Sequence, residues 1–165
     1  MRVTVRERKM PADSDIRPAI PADASAVAAC VHAAYQHYVP RIGKPPAPML
    51  DDYADTIRRH RVFVLEVNSS ITGAVVLVVD SGRALLDNVA VHPEHQGSGF
   101  GRKLIAFAEK EALALGFPAI ELYTHELMSE NLALYRELGY AEFARETEEG
   151  YKRIYMRKLL APAVG

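Results

Sequence analysis

The stretch that decides the fold of this chain is Leu85-Leu86-Asp87-Asn88-Val89-Ala90-Val91-His92-Pro93-Glu94-His95-Gln96-Gly97-Ser98-Gly99-Phe100-Gly101-Arg102. Its first part is a strand-like run, and a helical pattern begins at its end. The three glycines expose backbone N–H groups that no side chain shields, and the start of a helix adds partial positive charge. Because both features favour phosphate or pyrophosphate, we expect the ligand of this loop to be phosphorylated.

The spacing of the glycines separates this loop from two common phosphate-binding motifs. A dinucleotide-binding loop needs Gly-x-Gly-x-x-Gly, and its third glycine is missing here. A Walker loop needs a lysine followed by serine or threonine, whereas Lys103 is followed by Leu104. A nucleotide-dependent phosphotransferase would also need magnesium ligands near the glycines, and the sequence supplies none.

This loop and one later segment resemble two motifs of a known family. Gln96-x-x-Gly99-x-Gly101 after a strand that ends Val-x-Val-x-Pro resembles the acetyl-coenzyme A (acetyl-CoA) loop of GCN5-related N-acetyltransferases, the GNAT family. The segment 129–140 resembles the family's Asn-x-x-Ala-x-x-Leu-Tyr-x-x-Leu-Gly-Tyr/Phe pattern, although Leu134 and Tyr135 come one position early. The motifs occur in the family's order, and the resemblance covers about residues 16–160.

The resemblance implies the fold and the reaction. The fold would be α/β (α+β), of the acyl-CoA N-acyltransferase type, with a mixed, largely antiparallel central sheet flanked by helices. Acetyl-CoA would enter where two neighbouring strands diverge. The acetyl group would pass directly to an amine, that of a small molecule, in a ternary complex. The alternative is a non-catalytic sensor of the same fold that binds acyl-CoA.

The resemblance also assigns the residues that would bind acetyl-CoA. Backbone groups of Val89 and Val91 would bind the pantetheine arm, and Asn131 and Tyr135, four residues apart on one helix face, would lie near the sulfur. The full predicted set is Val89, Ala90, Val91, Gln96, Gly97, Ser98, Gly99, Phe100, Gly101, Arg102, Asn131 and Tyr135.

Two residues are candidates for proton transfer. Tyr135 is the expected general acid for the departing thiolate, and hydrogen-bond donation to the developing charge is the easier form of that role. Asp87 is the candidate base, since strand alternation predicts that it shares a face with Val89 and Val91 near the thioester. The alternatives for the base are a water chain, Asn88, Glu66, His125 and Glu126.

The acceptor side is placed, by resemblance, on the first two helices and the loop between them. This region combines aromatic and acidic residues, which suit a small cationic amine, although the acids could equally form a solvated face. The residues concerned are Tyr35, His37, Tyr38, Asp51, Asp52, Tyr53 and Asp55.

Composition limits the remaining classes. The chain has 165 residues, is 49% hydrophobic and carries a formal net charge of -1, which fits a single domain at 16–165 after a mobile tail at 1–15 and gives no case for nucleic acid. No membrane-spanning or signal-like run appears, so we expect a cytoplasmic location. His92 and His95 lack further ligands at metal spacing, so no metal is expected. Whether the chain forms a homodimer is left open.

Periodicity and turn residues predict the other elements. Strands are expected at 16–19, 61–67, 71–79, 83–91, 118–124, 140–146 and 151–159, and helices at 24–38, 49–59, 100–115 and 129–138. Four prolines and a glycine predict a loop at 39–48. Ser129 is the expected N-cap of the last helix.

Overall fold

The computed structural model describes residues 15–161. The strands are β1 (Asp15–Pro18), β2 (Arg61–Val67), β3 (Ser70–Asp80), β4 (Arg83–Val91), β5 (Ala119–His125), β6 (Ala141–Glu148) and β7 (Tyr151–Leu159). The helices are α1 (Ala24–Tyr35), α2 (Val39–Ile42), α3 (Tyr53–Arg59), α4 (Phe100–Ala114) and α5 (Ser129–Glu137). The tail predicted at 1–15 lies outside the described residues, except that Asp15 is the first residue of β1.

All seven strands form one sheet in the order β1-β2-β3-β4-β5-β7-β6. Every neighbouring pair is antiparallel except β4 and β5, which are parallel. A parallel pair needs a crossover connection, and α4 supplies it between β4 and β5. The predicted fold class, a mixed and largely antiparallel sheet flanked by helices, is therefore confirmed.

Helices cover both faces of the sheet. On one face α4 and α5 pack against β2 to β5 and β7, with Leu104 and Leu132 in the same buried cluster as Leu86. On the other face α1 and α3 pack against β2 to β4, and Val27 and Tyr53 belong to a second buried cluster. The core is thus two apolar layers separated by the sheet.

Three local predictions are wrong for identifiable reasons. The segment expected to be a loop contains α2, because Pro40 occupies a first-turn position that needs no N–H donor. The helix expected at 49–59 begins only at Tyr53, where the Asp52 side chain accepts hydrogen bonds from two backbone N–H groups of the first turn. Met128, rather than Ser129, is the N-cap of α5, and no side chain caps that helix.

No helix within residues 15–161 combines the length and the apolar character that crossing a membrane requires.

Candidate functional site

β4 and β5 separate soon after they pair. Leu85 and Leu86 are the only β4 residues with partners in β5, although β4 continues to Val91. On the other side of β4, the His92 N–H donates to the Thr72 carbonyl at 2.8 Å. Because antiparallel pairs alternate, the N–H and C=O groups of Val89 and Val91 point away from β3 and into the gap that β5 leaves.

A β-bulge lies at the point of separation and corrects one prediction. Val76 pairs with Asn88 and Leu77 pairs with Leu86, so Asp87 is an extra residue in β4. Leu86 and Val89, three residues apart, consequently both face the buried cluster that contains Leu104 of α4. The strict alternation expected across this stretch is therefore interrupted. The prediction that Asp87 shares a face with Val89 and Val91 is therefore wrong, since the bulge shifts the register of every residue before it.

The gap opens into a cleft of about 340 Å³, here called the first cleft. Eleven of the twelve residues predicted to bind acetyl-CoA line it, and Ser98 does not. Those eleven are Val89, Ala90, Val91, Gln96, Gly97, Gly99, Phe100, Gly101, Arg102, Asn131 and Tyr135.

The glycine loop leaves the start of α4 open to the first cleft. Gly99 is the N-cap of α4 and has a φ of 82°, a left-handed conformation that favours glycine. Gly101 lies in the first turn of the helix, and a Cβ atom there would meet only the Val91 Cγ2 atom, at 3.9 Å. Neither helical geometry nor packing within the chain requires a glycine at position 101, so its absent side chain keeps space in the cleft.

Side chains already contact the backbone that faces the gap. The Gln96 Nε2 atom donates to the Val91 carbonyl at 3.0 Å, and the Tyr35 hydroxyl lies 2.9 Å from the Val89 carbonyl. Arg102 at the rim forms an ion pair with Glu137, with 2.9 Å between Nη2 and Oε2. The cleft therefore has polar groups along its length and a guanidinium at its mouth.

A smaller space, the second cavity, lies on the other side of this gap. It measures about 40 Å³, and its walls include Pro48, Asp87 and four aromatic or basic side chains of β5 and β7: Tyr123, His125, Tyr151 and Arg153. Tyr35, Val89, Asn131 and Tyr135 line both the first cleft and the second cavity. The two spaces therefore meet at these four residues.

Tyr135 lies at this junction. Its side chain is buried, and burial raises the pKa of Tyr135 to about 12. Among residues 15–161 its hydroxyl has no hydrogen-bond partner. The Asn131 Nδ2 atom, one helical turn earlier, lies 3.7 Å from the Met128 sulfur. A protonated phenol without a partner is thus directed to the place where the two spaces join.

Asp87 is the only carboxylate among the described residues that lines the second cavity. It accepts a hydrogen bond of 2.9 Å from the Tyr123 hydroxyl, and burial together with the Asp87 charge raises the pKa of Tyr123. Asp51 lies close enough that burial and the Asp87 charge raise the pKa of Asp51 as well. The negative charge of this cavity therefore lies at Asp87, and Arg153 carries the positive charge in its wall.

The other base candidates have different surroundings. The Asn88 side chain hydrogen-bonds with Tyr35 and Tyr53, and Glu66 forms an ion pair with Arg17. Neither Glu66 nor Glu126 lines the first cleft or the second cavity. His125 does line the second cavity; its Nδ1 atom accepts a hydrogen bond from the Leu127 N–H at 3.1 Å, and burial lowers the pKa of His125.

The residues expected on the acceptor side divide into two groups. Tyr35, His37 and Tyr38 line the first cleft. The Tyr53 hydroxyl donates to the Pro48 carbonyl at 2.6 Å and so holds the proline-rich loop, residues 39–48, against the second cavity. Asp52 and Asp55 have structural roles instead. The first caps α3, and the second pairs with Arg58 and Arg59 on the surface.

Sequence reasoning missed Tyr123, Tyr151 and Arg153. All three line the second cavity, and they lie on β5 and β7, which are adjacent in the sheet. Their signal was present as polar and aromatic residues at alternate positions of two strands, a pattern that indicates one exposed sheet face. Within the described part of the chain, no group of histidine, cysteine and acidic residues could hold a metal ion.

Comparison with known proteins supports the resemblance to the GNAT family. A family model described as an acetyltransferase (GNAT) domain matches residues 58–142, slightly more than half of the chain. A protein of Yersinia pestis (strain Pestoides F) named acetyltransferase is 34% identical over 77 residues, which are 47% of this chain and 55% of that protein. The match thus spans about half the length of such curated relatives.

Solved structures share the fold. A ribosomal-protein alanine N-acetyltransferase from Escherichia coli is 23% identical, with a TM-score of 0.73 over 92% of this chain and 96% of that one. The PaiA N-acetyltransferase of Thermoplasma acidophilum, solved in complex with coenzyme A, is 18% identical, with a TM-score of 0.74 over 88% of this chain and 98% of that one. With its sheet, its diverging strands and its match to the family model, this chain belongs to the GNAT acetyltransferase family.

Proposed function

We propose that this protein is an N-acetyltransferase that moves the acetyl group of acetyl-CoA to the amine of a small molecule by direct attack in a ternary complex. One observation carries the proposal. Two separate spaces, one lined by the glycine loop and one by Asp87, meet at Tyr135 and Asn131. Two substrates that enter from opposite sides would bring their reacting atoms together there.

The first cleft suits acetyl-CoA along its whole length. The N–H groups at the start of α4 and the Arg102 guanidinium would bind the pyrophosphate. The backbone groups of Val89 and Val91 would bind the amide-rich pantetheine arm. Gln96 and Tyr35 would then give up their hydrogen bonds to these two carbonyl groups. When bound, acetyl-CoA supplies the activated acetyl group as a thioester.

Asp87 is the proposed base. An alkylamine with a pKa of about 10.4 is almost fully protonated at neutral pH, and deprotonating it costs about 4.6 kcal/mol at pH 7. Asp87 would accept that proton, directly or through water, while Tyr123 holds the carboxylate in place. The negative field around Asp87 would also draw a cationic amine into the second cavity.

Tyr135 is the proposed donor to the leaving sulfur. With a pKa of about 12, its phenol is a weaker acid than a thiol at about 8.5, so complete proton transfer would cost about 5 kcal/mol. A hydrogen bond to the developing thiolate avoids most of that cost and still stabilises the charge. The absence of a partner for the hydroxyl among residues 15–161 leaves it available for this bond.

Calorimetry and a thiol-release assay test the proposal. Acetyl-CoA should bind, ATP should not, and free coenzyme A should appear when acetyl-CoA is mixed with a member of a small-amine panel. Binding of acetyl-CoA without thiol release for any amine would contradict the proposed enzymatic function and favour a non-catalytic sensor that binds acyl-CoA. Binding of ATP in place of acetyl-CoA would contradict the assignment of the first cleft.

A further inference from the structure

A carboxylate and a guanidinium both contact Tyr123 in the second cavity. The Asp87 Oδ1 atom is 2.9 Å from the Tyr123 hydroxyl, and the Arg153 Cζ atom is 4.4 Å from the centroid of the same ring. Both charged side chains line the cavity. A carboxylate and a guanidinium that face one small space suit a ligand that carries both a positive and a negative group.

Arg153 is fixed in place by its neighbours. Its Nη1 atom donates to the Glu148 Oε2 atom at 2.6 Å, and the Tyr155 hydroxyl donates to the other oxygen of that carboxylate at 2.5 Å. The guanidinium also lies over the Tyr123 ring in a cation–π contact. A guanidinium has five N–H donors, so the contacts of Arg153 with Glu148 and Tyr155 leave donors for a further acceptor.

Arg157, four residues later on β7, has a purely structural version of this arrangement. Its guanidinium stacks on Phe143, with 4.3 Å between Cζ and the ring centroid, and both Nε and Nη2 donate to Glu121. Arg157 lines neither the first cleft nor the second cavity. Arg153 therefore differs from it in position and in the use of its donors.

We propose that the acceptor of the reaction is an amine that also carries a carboxylate a few bonds away, as an amino acid does, and that Arg153 binds this carboxylate. The inference rests on the proposed function, because it places the amine beside Asp87. The planar fork of a guanidinium matches a carboxylate. Arg153 is thus the specificity-determining residue.

The test compares matched acceptors. Each amino acid of a panel is assayed beside its amide and beside the amine that lacks the carboxylate. For the wild-type protein we expect kcat/KM to be about 10- to 100-fold higher for the best amino acid than for its amide, mainly through KM. Arg153→Met keeps the length that packs on Tyr123, and it should abolish this preference, so that the amino acid and its amide have similar kcat/KM values.

Controls separate a specificity role from a structural one. Arg157→Met removes an equivalent stacked guanidinium and should keep the preference, and calorimetric binding of acetyl-CoA should be the same in both variants. If Arg153→Met does not fold, Arg153→Lys keeps the charge without the fork and should reduce the preference.

The outcomes distinguish this inference from the function on which it rests. Acetylation of amines without a preference for amino acids, or a preference that survives in a folded Arg153 variant, would overturn the inference alone. Thiol release with no member of the panel would overturn the proposed function and the inference together.

Discussion

The first cleft and the second cavity are built from different parts of the chain. One continuous stretch, from β4 through the glycine loop into α4, supplies most of the first cleft, and much of its character comes from backbone groups. The second cavity takes side chains from β4, β5, β7 and the proline-rich loop. A backbone-built site should tolerate side-chain changes, except where new bulk enters it, whereas a side-chain-built site should change its specificity with each substitution.

The junction between the two regions should give the largest effect. Tyr135→Phe removes a hydroxyl that both regions share, so we expect kcat to fall by about 10²- to 10³-fold because a donor to the developing thiolate is lost. Affinity for acetyl-CoA should stay the same by calorimetry. Tyr140→Phe is the matched control, since Tyr140 is buried 6.0 Å from the Tyr135 ring but bonds Glu109 and lines neither space. Unchanged turnover in Tyr135→Phe would show that the Tyr135 hydroxyl takes no part in the reaction.

A change in the second cavity should alter the reaction and leave the first cleft intact. Asp87→Asn should lower kcat/KM for the amine by about 10²-fold at pH 7, because the proposed base is lost. The deficit should shrink as the pH approaches the pKa of the amine, about 10, where solvent has already removed the proton. Asp55→Asn, on the surface, is the control. A deficit that is constant with pH would contradict the role of a base.

A change in the first cleft should instead alter the binding of acetyl-CoA. Gly101→Leu should weaken acetyl-CoA binding by about 10- to 100-fold, because the side chain would enter the cleft, yet it should raise the free energy of unfolding by up to about 1 kcal/mol through helix propensity. Ala106→Leu adds bulk on the exposed side of the same helix and should leave binding unchanged. Equal binding in a folded Gly101→Leu variant would show that the ligand does not approach α4.

The smallest expected effect concerns stability. Burial lowers the pKa of His125, so the unfolded chain binds the proton more readily, and the free energy of unfolding should fall as the pH drops below about 6.5. Above that value both states are neutral, and the effect vanishes. The free energy of unfolding is measured by urea unfolding at about pH 7.5 and about pH 5.5. In His125→Gln its fall between these two pH values should be smaller than in the wild type, by under about 1 kcal/mol. An identical loss in the variant would assign the acid sensitivity to another group.

The same contrast explains which features could be predicted from the sequence. The bounds of β2, β4 and β7 are as predicted. Eleven of the twelve positions predicted to bind acetyl-CoA line one cleft, and nine of these lie in one contiguous stretch that fixes its own local geometry. The bulge at Asp87 could not be predicted, since it depends on the register against β3. Arg153 could not be placed either, because β7 pairs with β5 across a long stretch of intervening chain.

The most direct test of the two-space account is a crystal structure of the protein with coenzyme A. We predict that the pyrophosphate lies on the N–H groups at the start of α4, that the pantetheine arm lies between β4 and β5, and that the sulfur lies beside the Tyr135 hydroxyl. A coenzyme bound elsewhere, or one whose sulfur lies away from the junction of the first cleft and the second cavity, would contradict the account.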